Sequence, residues 1–584
     1  MKVSLGTAPF SPKDGETNGF RERERPMDEI NSSSTLDRRS ALKAFGLASA
    51  ALLGGPAADV LAKSIRPLEG LTTALPQEPL PLPPLSVIAL SRMAYGTRPG
   101  SFDFGTFNAF AGSTASEKLA AFVDWQLTPQ TIDDTDCNNR VAAANLPSLN
   151  KSLTQLWNDY KKTSGADRVK PVKDVRSAAF IRAVYSRRQL FEVMVNFWHN
   201  HFNIYAWDYA YAGPTWAHYD RDVIRTNALG NFRQLLEAVA TSPAMLFYLD
   251  NYINNSGGPN ENWARELFEL HTLGAENYLG VAPQNSVPGY PDAPIGYVDA
   301  DVYEATRCFT GWRVNDGQWP LTTNTGEFMY YDTWHDRFQK TILGRFFPAN
   351  GAAMADGRTV LDLLATHPGT ARFISHKLCR HFISDSPPEE VVDAASSEFL
   401  AHTGSADQIK RVIRVILLSE AFQTTWGEKI RRPFEVTVAM LRATNAEFSP
   451  SDDFYWNYDD MNQTLFEHRP PNGYSDIKED WTNSTSMLKR WQIALSLTEN
   501  SIDLTTMNLG AQMPAGYNTA NTIVDYWITR ILGRSMFSSA QRTRVVDFMR
   551  GPYSSSAVLN NTFIADRLQR MVALLLMAAD FQYR

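Results

Sequence analysis

From Leu85 to Arg584, in nearly every segment where the apolar residues of this chain keep a clear period, they recur at intervals of three and four. That spacing commits the backbone to helices, because a turn of 3.6 residues brings such positions to one face. Ser116–Gln126, Pro147–Lys161, Val175–Asn203, Tyr219–Thr241, Glu261–Leu273 and Asp299–Thr310 read this way in the first half. Thr359–Leu364, Thr370–Ile383, Glu389–His402, Ala406–Leu418 and Pro433–Ala446 continue the pattern, with further helices to Arg584. The expected fold is mainly α: one large multi-helix domain over residues 87–584, with a C-terminal helical lobe from about residue 433. Two long irregular loops, Gly274–Asp299 and Gly311–Gly357, interrupt it and leave room for short strands. Loops of that length inside a compact domain are usually functional or mobile. A chain of 584 residues, 43% of them hydrophobic, has ample material for a buried core.

The N-terminus points to export. Asp37-Arg38-Arg39-Ser40-Ala41-Leu42-Lys43, followed by the apolar run Ala44–Leu53, has the pattern of a twin-arginine signal. Ala58 and Ala62 suit the position before the cut, which makes residues 1–62 a signal region. Residues 63–86, with Pro-Gln-Glu-Pro-Leu-Pro-Leu-Pro-Pro, form a Pro-rich linker. Met27 competes with Met1 as the start, and an ordinary secretory signal or a chance arginine pair competes with the twin-arginine reading. The expected location is periplasmic or extracellular, with the twin-arginine translocase as the partner during export. That route carries folded proteins, often with a cofactor already inserted. No stretch reaches the roughly 20 apolar residues of a membrane-spanning helix.

A net charge of −7 and the lack of a basic stripe with interleaved aromatics argue against nucleic acid as a partner. Cys137, Cys308 and Cys379 lie far apart with no CxxC, which argues against a disulfide scaffold and a cysteine zinc site and leaves room for one disulfide.

Two helices carry carboxylates on otherwise greasy surfaces. Around Glu192, residues Asn196, His199 and Asn203 fall within about 40° on a helical wheel, and Val193, Met194, Phe197 and Trp198 cover much of the rest. In Asn260–Gly274, residues Asn262, Arg265, Glu266 and Glu269 share one side, with Trp263, Leu267, Phe268 and Leu270 opposite. Buried carboxylates must be paired, protonated or metal-bound. Three readings are open. Glu192, His199, Glu266 and Glu269 hold one or two metal ions between helices; or Arg265, Glu266 and Glu269 form an ion-pair network with arginines such as Arg188 or Arg307; or both stripes face solvent. His335-Asp336, in an aromatic loop, suits a further ligand or a general base, against a turn in which Asp336 caps the next segment.

His199 and His201 point about 200° apart, and His271 lies opposite Glu266, so a regular helix cannot bring them all to one ion. A buried histidine bonded to a backbone carbonyl is the expectation for His201 and His271. Arg372, His376 and Arg380 share a helical face that reads as a basic surface or an anion site. There is no HExxH, ExxH, GxSxG, P-loop or dinucleotide fingerprint, which lowers the weight of zinc proteases, carboxylate bundles, serine hydrolases, nucleotidases and nicotinamide enzymes.

A family resemblance is carried by Leu90-Ser-Arg-Met-Ala-Tyr-Gly96, Trp125-Gln-Leu-Thr-Pro, Phe197-Trp-His-Asn-His-Phe202, Ser242-Pro-Ala-Met-Leu-Phe-Tyr-Leu-Asp250 and Asn260–Gly274. It continues through Asp301-Val, Thr310-Gly-Trp312, His335-Asp336, His367-Pro368, Lys377-Leu378, Pro470-Pro-Asn-Gly-Tyr474 and Phe581-Gln-Tyr-Arg584. With these motifs the chain resembles the bacterial family named domain of unknown function 1800, over essentially all of its expected mature length. The resemblance implies a large, exported, mainly helical protein, and it brings no catalytic residue with it.

The leading functional expectation is a metal-dependent centre of Glu192, His199, Glu266 and Glu269, completed by His335 and Asp336. Iron, manganese, copper or zinc would serve, with oxidation favoured over hydrolysis, and Arg265 and His271 would position a substrate. The alternative is a non-catalytic envelope protein, for binding or assembly, whose stripes form a buried ion-pair network.

Overall fold

Several helices in this molecule begin or end where polar side chains step in for the helix's own hydrogen bonds. In the computed structural model, which describes residues 82–584 apart from Phe537, the expected segment Val175–Asn203 is two helices. The expected signal region and linker residues 63–81 lie outside the described residues. The described residues belong to one compact unit, Pro67–Arg584.

The first helices are α1, Leu85–Arg92, and α2, Ala115–Gln126, the latter opened by a Thr114–Glu117 capping box. Next come α3, Lys170–Tyr185, and α4, Gln189–His201. Between α3 and α4 the Ser186 hydroxyl accepts from Arg188 N at 2.9 Å, and the Gln189 amide donates to the Ala183 and Ser186 carbonyls at 3.0 and 2.8 Å. Those bonds satisfy groups that a helix end leaves open. The expected segment Tyr219–Thr241 also divides. Helix α5, Ala212–His218, runs into a π-turn, Tyr219–Arg225, and α6, Phe232–Ala240, starts afresh with Asn231 as its cap. Asn260–Gly274 contains a short helix, α7, Asn262–Glu266, which widens into a second π-turn, Leu267–His271. Gly274 closes it at φ +90, in the region that favours glycine.

Helix α8, Asp299–Cys308, leads into the long loop Gly311–Gly357, which does hold strands. The strands β1, Trp312–Asp316, and β2, Asn324–Tyr330, pair antiparallel with Trp312 opposite Tyr330. A small hairpin of β3, Lys340–Ile342, and β4, Arg345–Phe347, follows. Beyond it α9, Ala355–Thr366, and α10, Pro368–Phe382, are followed by α11, Glu389–Ala401, and α12, Gln408–Leu418.

Helix α13, Pro433–Ala443, is buried at every residue, its charged Glu435 and Arg442 included. Two short strands, β5 at Glu447–Phe448 and β6 at Thr505–Thr506, pair after it. Helices α14, Ser484–Thr498, and α15, Asn561–Met577, pack together. The chain then returns to the centre, where Ile430 and Tyr583 form an antiparallel bridge and Lys429 and Arg584 exchange backbone hydrogen bonds at 3.2 and 2.8 Å. Cys137, Cys308 and Cys379 are free thiols in the core. No described helix is long and apolar enough to cross a membrane.

Candidate functional site

The polar stripe of α4 faces the π-turn after α5. The wide turn brings Asp220 and Arg225, five residues apart, onto one side, and the Arg225 Nε donates to Asp220 Oδ2 at 3.0 Å. The same guanidinium donates its two terminal nitrogens to Glu192, Nη1 to Oε1 at 3.1 Å and Nη2 to Oε2 at 2.7 Å. His199 Nε2 donates to Asp220 Oδ1 at 2.9 Å, and Arg182 stands 3.9 Å from Oδ2. All four oxygens of the two carboxylates are engaged in a buried, charge-assisted cluster. Burial alone pushes the Asp220 carboxyl up, but Arg225 and the His199 hydrogen bond hold it well below the usual carboxylate range. Further along the stripe, Asn196 accepts from Arg432 at 3.3 Å, and Asn203 donates to the His468 and Pro470 carbonyls at 3.0 and 2.7 Å.

His335 and Asp336 belong to a second buried cluster. Arg307 grips Asp336 with Nε at 2.8 Å and Nη2 at 3.0 Å, while Asp336 also caps Phe338 N at 2.9 Å. Lys340, fully buried on β3, donates to the Asp336 and Phe338 carbonyls and to Asp356 at 2.6, 2.9 and 2.7 Å. His335 lies between Thr310, whose carbonyl accepts from Nδ1 at 3.0 Å, and Asp356, 3.3 Å from Nε2.

The carboxylates of α7 are placed differently. Glu266 and Glu269 are half-buried, and among the described residues no hydrogen bond or ion pair engages either of them. Burial, and then Glu269, pushes the Glu266 carboxyl up. Arg265 turns instead to Glu261 at 3.3 Å and Asp299 at 3.4 Å, so neither Arg188 nor Arg307 forms the network with α7 that was one reading of the sequence. Arg188 donates to the Ile132 carbonyl. His271 is fully buried and both its ring nitrogens lack a partner, while its backbone carbonyl accepts from His201 Nε2 at 3.2 Å. Burial, and then Lys377, pulls the His271 imidazole down to about 3.

The structure therefore joins Glu192 to His199 through Asp220 and Arg225, and His335 to Asp336 through Lys340 and Asp356; among the described residues no hydrogen bond or ion pair joins either pair to Glu266 or Glu269. Among the described residues no three His, Cys, Asp or Glu side chains form a group that could hold a metal ion.

A third polar centre was not foreseen. Two small cavities, each with about 10 Å³ of space for solvent, share His381 of α10 and Arg584 as walls. The inner one also touches Asn196, Arg431 and Glu435. The outer one reaches Lys429, Arg432, Asp385 and Asp476. Glu435 Oε1 accepts from Arg584 at 2.9 Å and Arg432 at 3.3 Å, and Oε2 accepts from Arg432 N at 2.9 Å. Burial opposes ionisation of Glu435, yet Arg584 and Arg432 hold it well below the usual range. Burial, and then Arg584, pulls Arg431 down to about 9, still charged at neutral pH. The sequence signals were the Arg431-Arg432 pair ahead of an apolar helix and the terminal Arg584. Neither says that residues some 150 positions apart meet, since that contact depends on the return of the chain after α15.

No curated protein and no solved structure matches the chain. A protein-family profile does, over residues 88–583, from α1 to the penultimate residue of the terminal motif and so across the first two polar centres and all of the third but Arg584. The chain therefore belongs to the family described as "Protein of unknown function (DUF1800)".

Proposed function

We propose that this protein is exported by the twin-arginine translocase and works in the periplasm or outside the cell as a non-catalytic binding or assembly protein. Its buried carboxylates serve as internal ionic ties. The observation that carries this reading is that Arg225 occupies both oxygens of Glu192, and Arg307 both oxygens of Asp336. A carboxylate gripped on both oxygens by a buried guanidinium has one lone pair on each oxygen taken and its charge already compensated, which makes it a poor metal ligand unless the pair is first broken.

The metal-dependent reading keeps one supporting observation, the unengaged carboxylates of Glu266 and Glu269. Elemental analysis of the protein recovered after export, beside a Glu266→Gln, Glu269→Gln variant of equal helicity, separates the two. No stoichiometric iron, manganese, copper or zinc is expected in either protein. One or two equivalents that vanish in the variant would overturn the non-catalytic reading. Export is tested by Arg38→Lys, Arg39→Lys, which should hold the precursor in the cytoplasm; unchanged export would remove the twin-arginine route.

A further inference from the structure

Arg431 is buried, at 6% exposure, and among the described residues its guanidinium donates to backbone carbonyls alone, those of Phe581 and, at 3.2 Å, Tyr583. Among the described residues no carboxylate lies within ion-pair reach of it. The carboxylates lining the two cavities are already taken: Glu435 by Arg432 and Arg584, Asp385 by Lys429 at 2.5 Å, Asp476 by Arg432 at 3.7 Å. An isolated buried cation is costly. Two further groups on the same walls lack partners, the Nε of Arg584 and the Nε2 of His381, both shut off from solvent. His381 is kept neutral by burial and by Arg584 and Arg432, so it has one N–H to give.

The space available selects the ligand. About 10 Å³ is room for roughly one water molecule. A carboxylate or a phosphate brings three or more heavy atoms, whereas a chloride ion is a single atom, only somewhat larger than water. A buried guanidinium with only backbone partners calls for an anion of low charge. Glu435 shares the wall, but its charge is spread over two guanidiniums and a backbone N–H.

We propose that the inner cavity is a binding site for a single monatomic anion of the chloride class, held by Arg431, Arg584 and His381. The site joins α10, the segment just before α13 and the terminal segment through one ion, and it stands whether the protein is an enzyme or a binding protein.

The test is thermal unfolding of the exported protein in sodium chloride against sodium gluconate at equal ionic strength, with diffraction from crystals grown in sodium bromide. The expected result is a saturable rise of about 1–2 °C specific to chloride, and a bromide anomalous peak between Arg431 and His381. In Arg431→Met the chloride-specific rise should disappear; should that variant not fold, the bromide peak in the unaltered protein decides. Identical melting in the two salts, no bromide peak in this cavity, or an equal rise with acetate would each overturn the proposal.

Discussion

Arg225 closes a two-pronged ion pair on Glu192, thirty-three positions away in the chain, with its terminal nitrogens 3.1 and 2.7 Å from the two carboxylate oxygens and its Nε left for Asp220. One guanidinium thus neutralises two buried carboxylates, and the two partners are not equivalent. Loss of Glu192 leaves Arg225 with Asp220, but loss of Arg225 leaves two buried anions that share the more distant Arg182, 3.9 Å from Asp220.

Arg225→Met is therefore expected to cost about 3–5 kcal/mol, and Glu192→Gln about 1.5–3 kcal/mol, the loss of charged hydrogen bonds. The double variant should cost clearly less than the sum, because the groups share one network. Urea unfolding of the four proteins measures this. Strict additivity would mean that the two side chains are not coupled in solution.

The buried imidazole of His271 makes an acid-sensitivity prediction. In the folded state it titrates at about 3, against about 6.5 in the unfolded chain. Because the folded value is the lower one, the unfolded chain binds the proton first as pH falls. Stability is whole above about 6.5 and declines as pH drops toward 3, by about 3 kcal/mol at pH 4. His271→Leu removes a group whose ring makes no hydrogen bond, so its unfolding free energy should fall less between pH 7 and pH 4. Equal slopes in the two proteins would place the acid sensitivity elsewhere, for example at Asp220 or Glu435.

Helix content and most helix positions were legible because period alone sets them: Glu389–His402 was expected and Glu389–Ala401 is found. The breaks were not. Nothing local in Tyr219–Thr241 or Asn260–Gly274 announces a π-turn, and it is the π-turn that swings Asp220 and Arg225 together. The stripe Glu192, His199 was read as polar, with burial and solvent exposure both left open, and it is buried. Its partner was sought in another carboxylate helix, although the cheaper solution for a buried anion is a cation. The bond of His201 to a backbone carbonyl was anticipated from the 200° separation on the wheel. The cavity at His381 was not anticipated, since it is assembled from α1, α4, α10, α13 and the chain's end, and long-range assembly leaves no local periodicity to read.

Gly473 offers a test of one motif. It sits at φ +74, and a methyl group there would fall on the carbonyl oxygen of Asn200. The next residue, Tyr474, is clasped by Asn200, which accepts from its N–H at 2.8 Å and donates to its carbonyl at 2.9 Å. Gly473→Ala should therefore destabilise by more than 1 kcal/mol, through backbone strain and displacement of the clasp together. Hydrogen exchange should be faster at the Tyr474 amide. A neutral substitution would show that the turn relaxes without α4.

The unengaged pair Glu266 and Glu269 yields opposite expectations for its two readings. Burial and the neighbouring charge raise Glu266 above the usual carboxylate value, so its ionisation costs stability in the folded state. The favourable contribution is present below about pH 4.3, the unfolded value, and is lost as pH rises through the folded one. If the pair is merely repulsive, Glu266→Gln removes that loss and stabilises the protein at pH 7 by some tenths of a kcal/mol, a small figure because the group is partly solvated. The gain should vanish below about pH 4. If instead the two carboxylates hold a cation, the same variant loses stability at pH 7, and a chelator lowers the unaltered protein to the level of the variant. The sign of one unfolding measurement at pH 7, repeated with and without chelator, distinguishes a strained acidic pair from a metal site. The stabilised outcome is the one expected from the geometry, in which no third donor completes a ligand set beside Glu266 and Glu269 among the described residues.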